Sequence, residues 1–151
     1  MNAATSSDTI VKEIIINAPA ARVFEALSDP SQRVKWWGVE GKFQVTQMES
    51  DLRPGGAWVM RGTSMGTKPF TLHGEYRTID RPRLLEFTWL HEWPGGVLTT
   101  VVRFDLDEKD GATTVRLTHS GLTTEQARQN YQGWPWLLAL LRDFVEKQSS
   151  K

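Results

Sequence analysis

The stretch Val102-Arg103-Phe104-Asp105-Leu106-Asp107-Glu108-Lys109-Asp110-Gly111-Ala112-Thr113-Thr114-Val115-Arg116-Leu117-Thr118-His119 reads as two strands joined by a tight turn. Apolar residues fall on every second position on both sides of Asp110-Gly111, and successive strand residues point to opposite faces of a sheet. Asp-Gly supplies the two left-handed residues of a two-residue type I′ loop. That loop sets Lys109 opposite Ala112, and therefore Leu106, Phe104 and Val102 opposite Val115, Leu117 and His119. One face of the pair is apolar; the other carries Arg103, Asp105, Arg116 and Thr118 and meets water.

Outward from this hairpin, residues 41 to about 120 keep the period of two, broken at Arg53-Pro54-Gly55-Gly56, Arg81-Pro82 and Pro94-Gly95-Gly96. The spacing predicts six strands in an antiparallel meander. A four-residue loop over Pro94 to Val97 sets Phe87, Trp89 and His91 opposite Phe104, Val102 and Thr100. A two-residue loop at Arg81-Pro82 sets Tyr76 opposite Phe87 and Gly74 opposite Trp89. The inner face then holds Tyr76, Phe87, Phe104 and Leu117 in one row, and Gly74, Trp89, Val102 and His119 in the next. A third row holds Leu72, His91 and Thr100, and Trp58 and Met60 extend the surface on the neighbouring strand.

The ends of the chain are different. Ile10 to Asn17 reads as a first strand after a polar tail over residues 1–9, which is expected to be disordered. Val23, Phe24 and Leu27 then mark an amphipathic helix behind Pro19, and a second short helix runs from Pro30 to Trp36-Trp37, stopped by Gly38. Near the C-terminus Thr123-x-x-Gln126 has the form of a capping box. Trp134, Leu137, Leu138, Leu141, Phe144 and Val145 make a broad helical stripe. Gly133 and Pro135 either kink this helix or divide it into a short and a long one. The expected fold is α+β, with one long helix covering one face of the antiparallel sheet, in a single domain over residues 10–148.

The 151 residues carry 18 basic and 18 acidic side chains and no cysteine. The charges are scattered, so nothing resembles a footprint for nucleic acid or an anionic membrane. Thiol nucleophiles, disulfides and Cys-ligated metals are excluded by composition. The longest apolar run, Trp136 to Leu141, falls far short of the ~18 residues that span a bilayer. The N-terminus has neither the positive nor the apolar region of a secretory signal, which places the protein in the cytoplasm as an expectation.

Aromatic walls beside Gly74, with imidazoles and a hydroxyl at one end, are what a small-molecule pocket needs, although the same pattern also describes a packed core. Imidazole is the natural acid–base candidate near neutral pH, and His91 and His119 both point inward in this register. They stand on strands separated by one other, about 10 Å apart, too far to share one metal ion easily. No metal and no cofactor is expected. No G-x-S-x-G turn occurs, and the Gly-Gly pairs lie in hairpin turns rather than in a strand-to-helix phosphate loop.

Several segments together resemble a known family. Ile14-Ile15-Ile16-Asn17-Ala18-Pro19, Val23-Phe24, Ala26-Leu27, Asp29-Pro30 and Trp36-Trp37-Gly38 resemble the opening of the SRPBCC (START-like) superfamily, in its activator of heat-shock protein 90 ATPase-like branch. Asp51-Leu52-Arg53-Pro54-Gly55-Gly56, Gly74-Glu75-Tyr76, Arg83-Leu84-Leu85-Glu86-Phe87-Thr88-Trp89 and Gly133-Trp134 with Leu138 and Leu141 continue the match in order, over about residues 10 to 147. Pro82 and Arg83 are adjacent here, where the family carries one or two residues between them. The resemblance implies a helix-grip fold: a curved antiparallel sheet wrapped around a long C-terminal helix, leaving a tunnel that holds a hydrophobic ligand in many relatives. It also implies a chaperone as an alternative partner, although these 151 residues are expected to leave no room for the separate N-terminal domain of the eukaryotic activators.

Three readings follow. In the first, a small hydrophobic or aromatic ligand is walled by Trp58, Met60, Tyr76, Phe87, Trp89, Val102, Phe104, Leu117, Trp134 and Leu138 and oriented by His91, Thr100 and His119. In the second, the domain docks on a chaperone and stimulates its ATPase. In the third, it is a cyclase, aromatase or hydrolase that uses a pocket histidine. The sequence favours binding over catalysis and leaves monomer or homodimer open.

Overall fold

The structure is a computed structural model, and it describes residues 8–39, 43–64, 67–93 and 96–149. Strand β1 (Ile10–Ile16) is followed by helices α1 (Ala20–Ser28) and α2 (Pro30–Trp36). Strands β2 (Gly38–Val39), β3 (Phe43–Ser50), β4 (Ala57–Ser64), β5 (Lys68–Asp80), β6 (Leu84–Trp93), β7 (Gly96–Lys109) and β8 (Ala112–Ser120) come next. Helices α3 (Glu125–Asn130) and α4 (Trp134–Ser149) close the chain. The strands form one curved antiparallel sheet in the order β1-β8-β7-β6-β5-β4-β3-β2. The meander is as expected, but the two-residue β2 is too short to leave a periodic signal in the sequence.

The helices are placed by caps. Pro19 occupies the N-cap of α1 and has no side-chain acceptor to offer, so Glu108 on β7 takes that role: its Oε1 accepts from the Ala20 N–H at 2.8 Å. Asp29 caps α2 through its carboxylate, which accepts from the Ser31 N–H at 3.0 Å, and Pro30 sits in the first turn, where no donor is missed. Gly38 ends the segment with φ 108°, which glycine adopts without strain. For α3 the cap is Thr124, whose hydroxyl accepts from the Ala127 N–H at 3.1 Å, one residue later than the Thr123-x-x-Gln126 box predicts. Gly133 and Pro135 divide the C-terminal segment and do not kink it: Tyr131 to Gly133 form a turn, and Pro135 lies in the first turn of α4.

Registers decide which side chains meet. Lys109 faces Ala112, and Leu106, Phe104 and Val102 face Val115, Leu117 and His119, as the Asp110-Gly111 turn requires; both turn residues have positive φ. The β6–β7 hairpin departs from expectation. Trp93 pairs with Gly96, so the connection is two residues long, not four, and Phe87, Trp89 and His91 stand opposite Val102, Thr100 and Leu98 rather than Phe104, Val102 and Thr100. A slip of two preserves the face of every side chain and moves only the row, because the side-chain period is two.

At the β5–β6 turn, Asp80 pairs with Leu84 and three residues lie between them, not two. A bulge between Tyr76 and Thr78 absorbs the extra residue, so Tyr76 still faces Phe87 and His73 faces Leu90. The inner rows therefore read Tyr76, Phe87, Val102, His119 and Ile10 in one, and Trp89 with Thr100 in the next.

Helix α4 packs over this face and against β1 and α1, burying Trp134, Leu138, Leu141 and Val145 at spacings of four, three and four. Helix α2 lies against β3 and touches α4.

Candidate functional site

The interior between sheet, α2 and α4 is an aromatic assembly centred on Trp89. Its ring stacks on Trp37 at 5.7 Å between centroids, lies 5.4 Å from Trp58, and meets Trp134 edge-on at 6.1 Å. Phe87 joins it through Trp58 at 5.4 Å and through Tyr76 at 6.1 Å. Offset and edge-on contacts of this kind are favourable beyond the area that they bury. Gly74 makes the close approach possible: a Cβ there would stand 1.9 Å from the Thr88 carbonyl oxygen and 2.9 Å from Trp58 Nε1.

Of the residues singled out in the sequence, Trp58 and Met60 on β4, Tyr76 on β5, Phe87 and Trp89 on β6, and Thr100, Val102 and Phe104 on β7 are buried on this inner face. Leu117 and His119 on β8 and Trp134 and Leu138 on α4 are buried with them. The backbone of His91 lies in β6 opposite Leu98, and its side chain falls outside the described residues.

His119 and Thr100 meet, and their hydrogen bonds fix the protons. Trp134 Nε1 is only a donor and gives its hydrogen to His119 Nδ1 at 3.1 Å. Thr100 donates its single hydroxyl hydrogen to the Trp89 carbonyl at 2.8 Å. The 2.8 Å contact between Thr100 Oγ1 and His119 Nε2 is therefore made by the imidazole N–H. His119 is held as the neutral Nε2–H tautomer with both ring nitrogens engaged, an arrangement that positions α4 on the sheet.

Trp37 is not among the candidate site residues of the sequence, and three further residues outside that set stand beside this assembly. Tyr131 accepts a hydrogen bond from Trp89 Nε1 at 2.9 Å and lies 4.6 Å from the His119 ring; burial pushes its hydroxyl up to about 12, against the smaller opposing effect of the Trp89 bond. Ser50 shares a 2.6 Å hydrogen bond with the Tyr76 hydroxyl.

The third is Arg33, 1% exposed, which donates through Nη1 to the Leu27 carbonyl at 2.6 Å. Its guanidinium carbon lies 4.3 Å from the centre of the Trp37 ring and 5.8 Å from that of Phe87. Burial pulls it down to about 10, partly offset by Tyr76, and it stays charged at neutral pH. Among the described residues its Nε and Nη2 have no hydrogen-bond partner.

The indoles sharpen the contrast. Trp36, Trp58, Trp89 and Trp134 each donate to an acceptor, whereas the indole N–H of Trp37, 1% exposed, has none among the described residues. Arg33 lies inside α2 and Trp37, four residues on, is its C-cap, whose backbone N–H donates to the Arg33 carbonyl at 3.1 Å. The apolar partners at that spacing were the available signal, but a charged residue inside a short helix is usually read as solvated.

Among the described residues no group of three or more His, Cys, Asp or Glu side chains comes together, and no helix is long and apolar enough to cross a membrane.

The fold recurs widely among solved structures. A protein from Chromobacterium violaceum superposes with TM-score 0.79 at 23% identity, covering 93% of this chain and 98% of its own. An AHSA1-like protein from Aeromonas hydrophila gives 0.78 at 22%, with 95% of each chain covered, and a protein from Mycobacterium smegmatis gives 0.78 at 20%, covering 97% and 93%. No functionally curated protein matches the chain. The family model described as Activator of Hsp90 ATPase homolog 1-like protein matches residues 17–146. With the helix-grip architecture, the Trp36-Trp37-Gly38 segment and this match over most of its length, the chain belongs to the Activator of Hsp90 ATPase homolog 1-like family, within the SRPBCC superfamily.

Proposed function

We propose that the protein binds a small apolar or aromatic molecule between the inner face of the sheet and helices α2 and α4. The observation that carries this reading is the set of unmatched donors in an aromatic interior. A packed core satisfies its buried polar groups, and each donor left unmatched costs about 1–3 kcal/mol. Arg33 Nε, Arg33 Nη2 and Trp37 Nε1 lie beside the rings of Trp37, Phe87 and Trp89, and an occupant with acceptors completes them. Apolar walls with a few fixed polar groups are the usual make-up of a ligand site. Membership of a superfamily that commonly binds ligands supports the same reading.

Catalysis by His119 finds less support, because its Nδ1 lone pair and its Nε2–H are both committed to neighbours. A chaperone-docking role has one observation in its favour: Val11 and Ile15 on the outer face of edge strand β1 are 52% and 67% exposed.

Native mass spectrometry of the full chain, incubated with fatty acids, flavonoids, sterols and polyketide-like aromatics, tests the binding reading. It expects a one-to-one adduct with at least one class. Apo protein throughout, with retention on the host heat-shock protein 90 chaperone that a Val11→Glu, Ile15→Glu double variant abolishes, would transfer the role to the protein-docking surface.

A further inference from the structure

We propose that the ligand is an organic acid, held as its carboxylate by the free edge of the Arg33 guanidinium and the Trp37 indole. This rests on the binding reading above and names the chemistry of its polar end. All three unmatched groups are donors, so the complementary ligand group presents acceptors to them. One of them carries a full positive charge, so the complementary group is negative.

The geometry is more specific than charge. Nη1 of Arg33 is occupied by the Leu27 carbonyl, which fixes the orientation of the guanidinium plane. The free pair, Nε and Nη2, is the pair whose N–H bonds run side by side along one edge of that plane. This edge takes the two oxygens of a carboxylate in parallel hydrogen bonds. Among the described residues no carboxylate forms an ion pair with Arg33, and Tyr76, whose hydroxyl shares a hydrogen bond with Ser50, partly offsets the effect of burial on it. A buried cation without a counter-ion is expensive to maintain, and removing its partner from an ion pair is strongly destabilising. An acidic ligand supplies the missing half.

The surroundings select the rest of the molecule. Trp37, Phe87 and Trp89 offer ring faces and edges and no further unmatched polar atom. A free inorganic anion would match the fork and leave this wall unused, so the ligand class is an aromatic or aliphatic carboxylic acid.

Matched pairs test this with the full chain: 1-naphthylacetate against 1-naphthylacetamide, and decanoate against decanamide, followed by tryptophan fluorescence and by thermal melting. Hydrogen bonds to a charged group correspond to roughly a tenfold or greater preference. The acid is expected to bind wild type at least about tenfold more tightly than its amide, the preference is expected to vanish in Arg33→Met, and acetate alone is expected not to compete. Equal binding of acid and amide to wild type would overturn the carboxylate assignment and leave the apolar-ligand reading standing. No binding by either member of either pair would overturn the assignment for both classes of acid, and the wider panel then decides the binding reading separately. Preference for the acid that persists in Arg33→Met would place the anion elsewhere and overturn the role of Arg33. The comparison on wild type needs no variant to fold.

Discussion

Trp134, at the start of α4, donates its indole hydrogen to Nδ1 of His119 on β8 at 3.1 Å, and so ties the long helix to the sheet through the inner face rather than through its rim. The imidazole passes the connection on to Thr100 and from there to the Trp89 carbonyl. His119→Leu keeps most of the volume and leaves the Trp134 N–H unmatched. The expected loss is about 2–3 kcal/mol in urea denaturation, and Thr100→Val should lose about 1–2 kcal/mol by leaving the imidazole N–H unmatched. The double variant should lose less than the sum, because the two residues share one network.

Gly74→Ala should cost more than about 3 kcal/mol or prevent folding, since the new methyl would meet the Thr88 carbonyl at 1.9 Å. It would also displace Trp58, whose Nε1 donates to that same carbonyl at 3.2 Å. Gly133→Ala, with nothing within 4 Å of the new atom, should stay within about 1 kcal/mol of wild type. Thermal melting of both variants checks the contrast.

Alkaline titration separates a half-buried tyrosine from a buried arginine, whose shifts have opposite signs. Tyr131 is raised to about 12, so the folded state keeps a proton that the unfolded chain loses near 10; its stabilising contribution is complete below about pH 10 and disappears as pH rises through 12. Arg33 is lowered to about 10, so its burial destabilises the fold at neutral pH and that cost is relieved between about pH 10 and 12.5. Tyr131→Phe should remove the upper tyrosinate absorbance step and make stability fall by about 2 kcal/mol less between pH 10 and 12. An unchanged titration would show that the Tyr131 phenol is not shifted.

Arg33→Met should leave the ligand-free protein within about 1 kcal/mol of wild type or raise its stability, because the change removes an uncompensated buried charge. A loss above about 3 kcal/mol in chemical denaturation would instead make Arg33 a structural strut through its bond to Leu27.

The meander and the inward-facing residues were legible because strand period and turn chemistry are local. Asp110-Gly111 specified one loop length, and the Leu106–Val115 register followed from it. Pro94-Gly95-Gly96-Val97 is compatible with two loop lengths that differ by an even number, so the faces came out right while the rows slipped by two. At Arg81-Pro82 a third turn residue and the bulge beside Arg77 cancelled, which no local pattern announces. Arg33 and the Trp37 donor stayed hidden because their meaning lies in what they lack: that Nε, Nη2 and Nε1 find no acceptor depends on the packing of α2, β4, β5 and β6 together.

A thermal-shift screen of the full chain across apolar and aromatic compounds, acids and their neutral counterparts included, is the most direct test of a binding interior. A molecule that binds only the folded state raises the melting temperature by an amount that grows with its concentration. A concentration-dependent rise is expected for at least one class, largest for acids. A melting temperature unchanged by every class would contradict it, and would leave Trp37, Trp58, Trp89 and Trp134 as the packed core of a domain that acts through its outer surface.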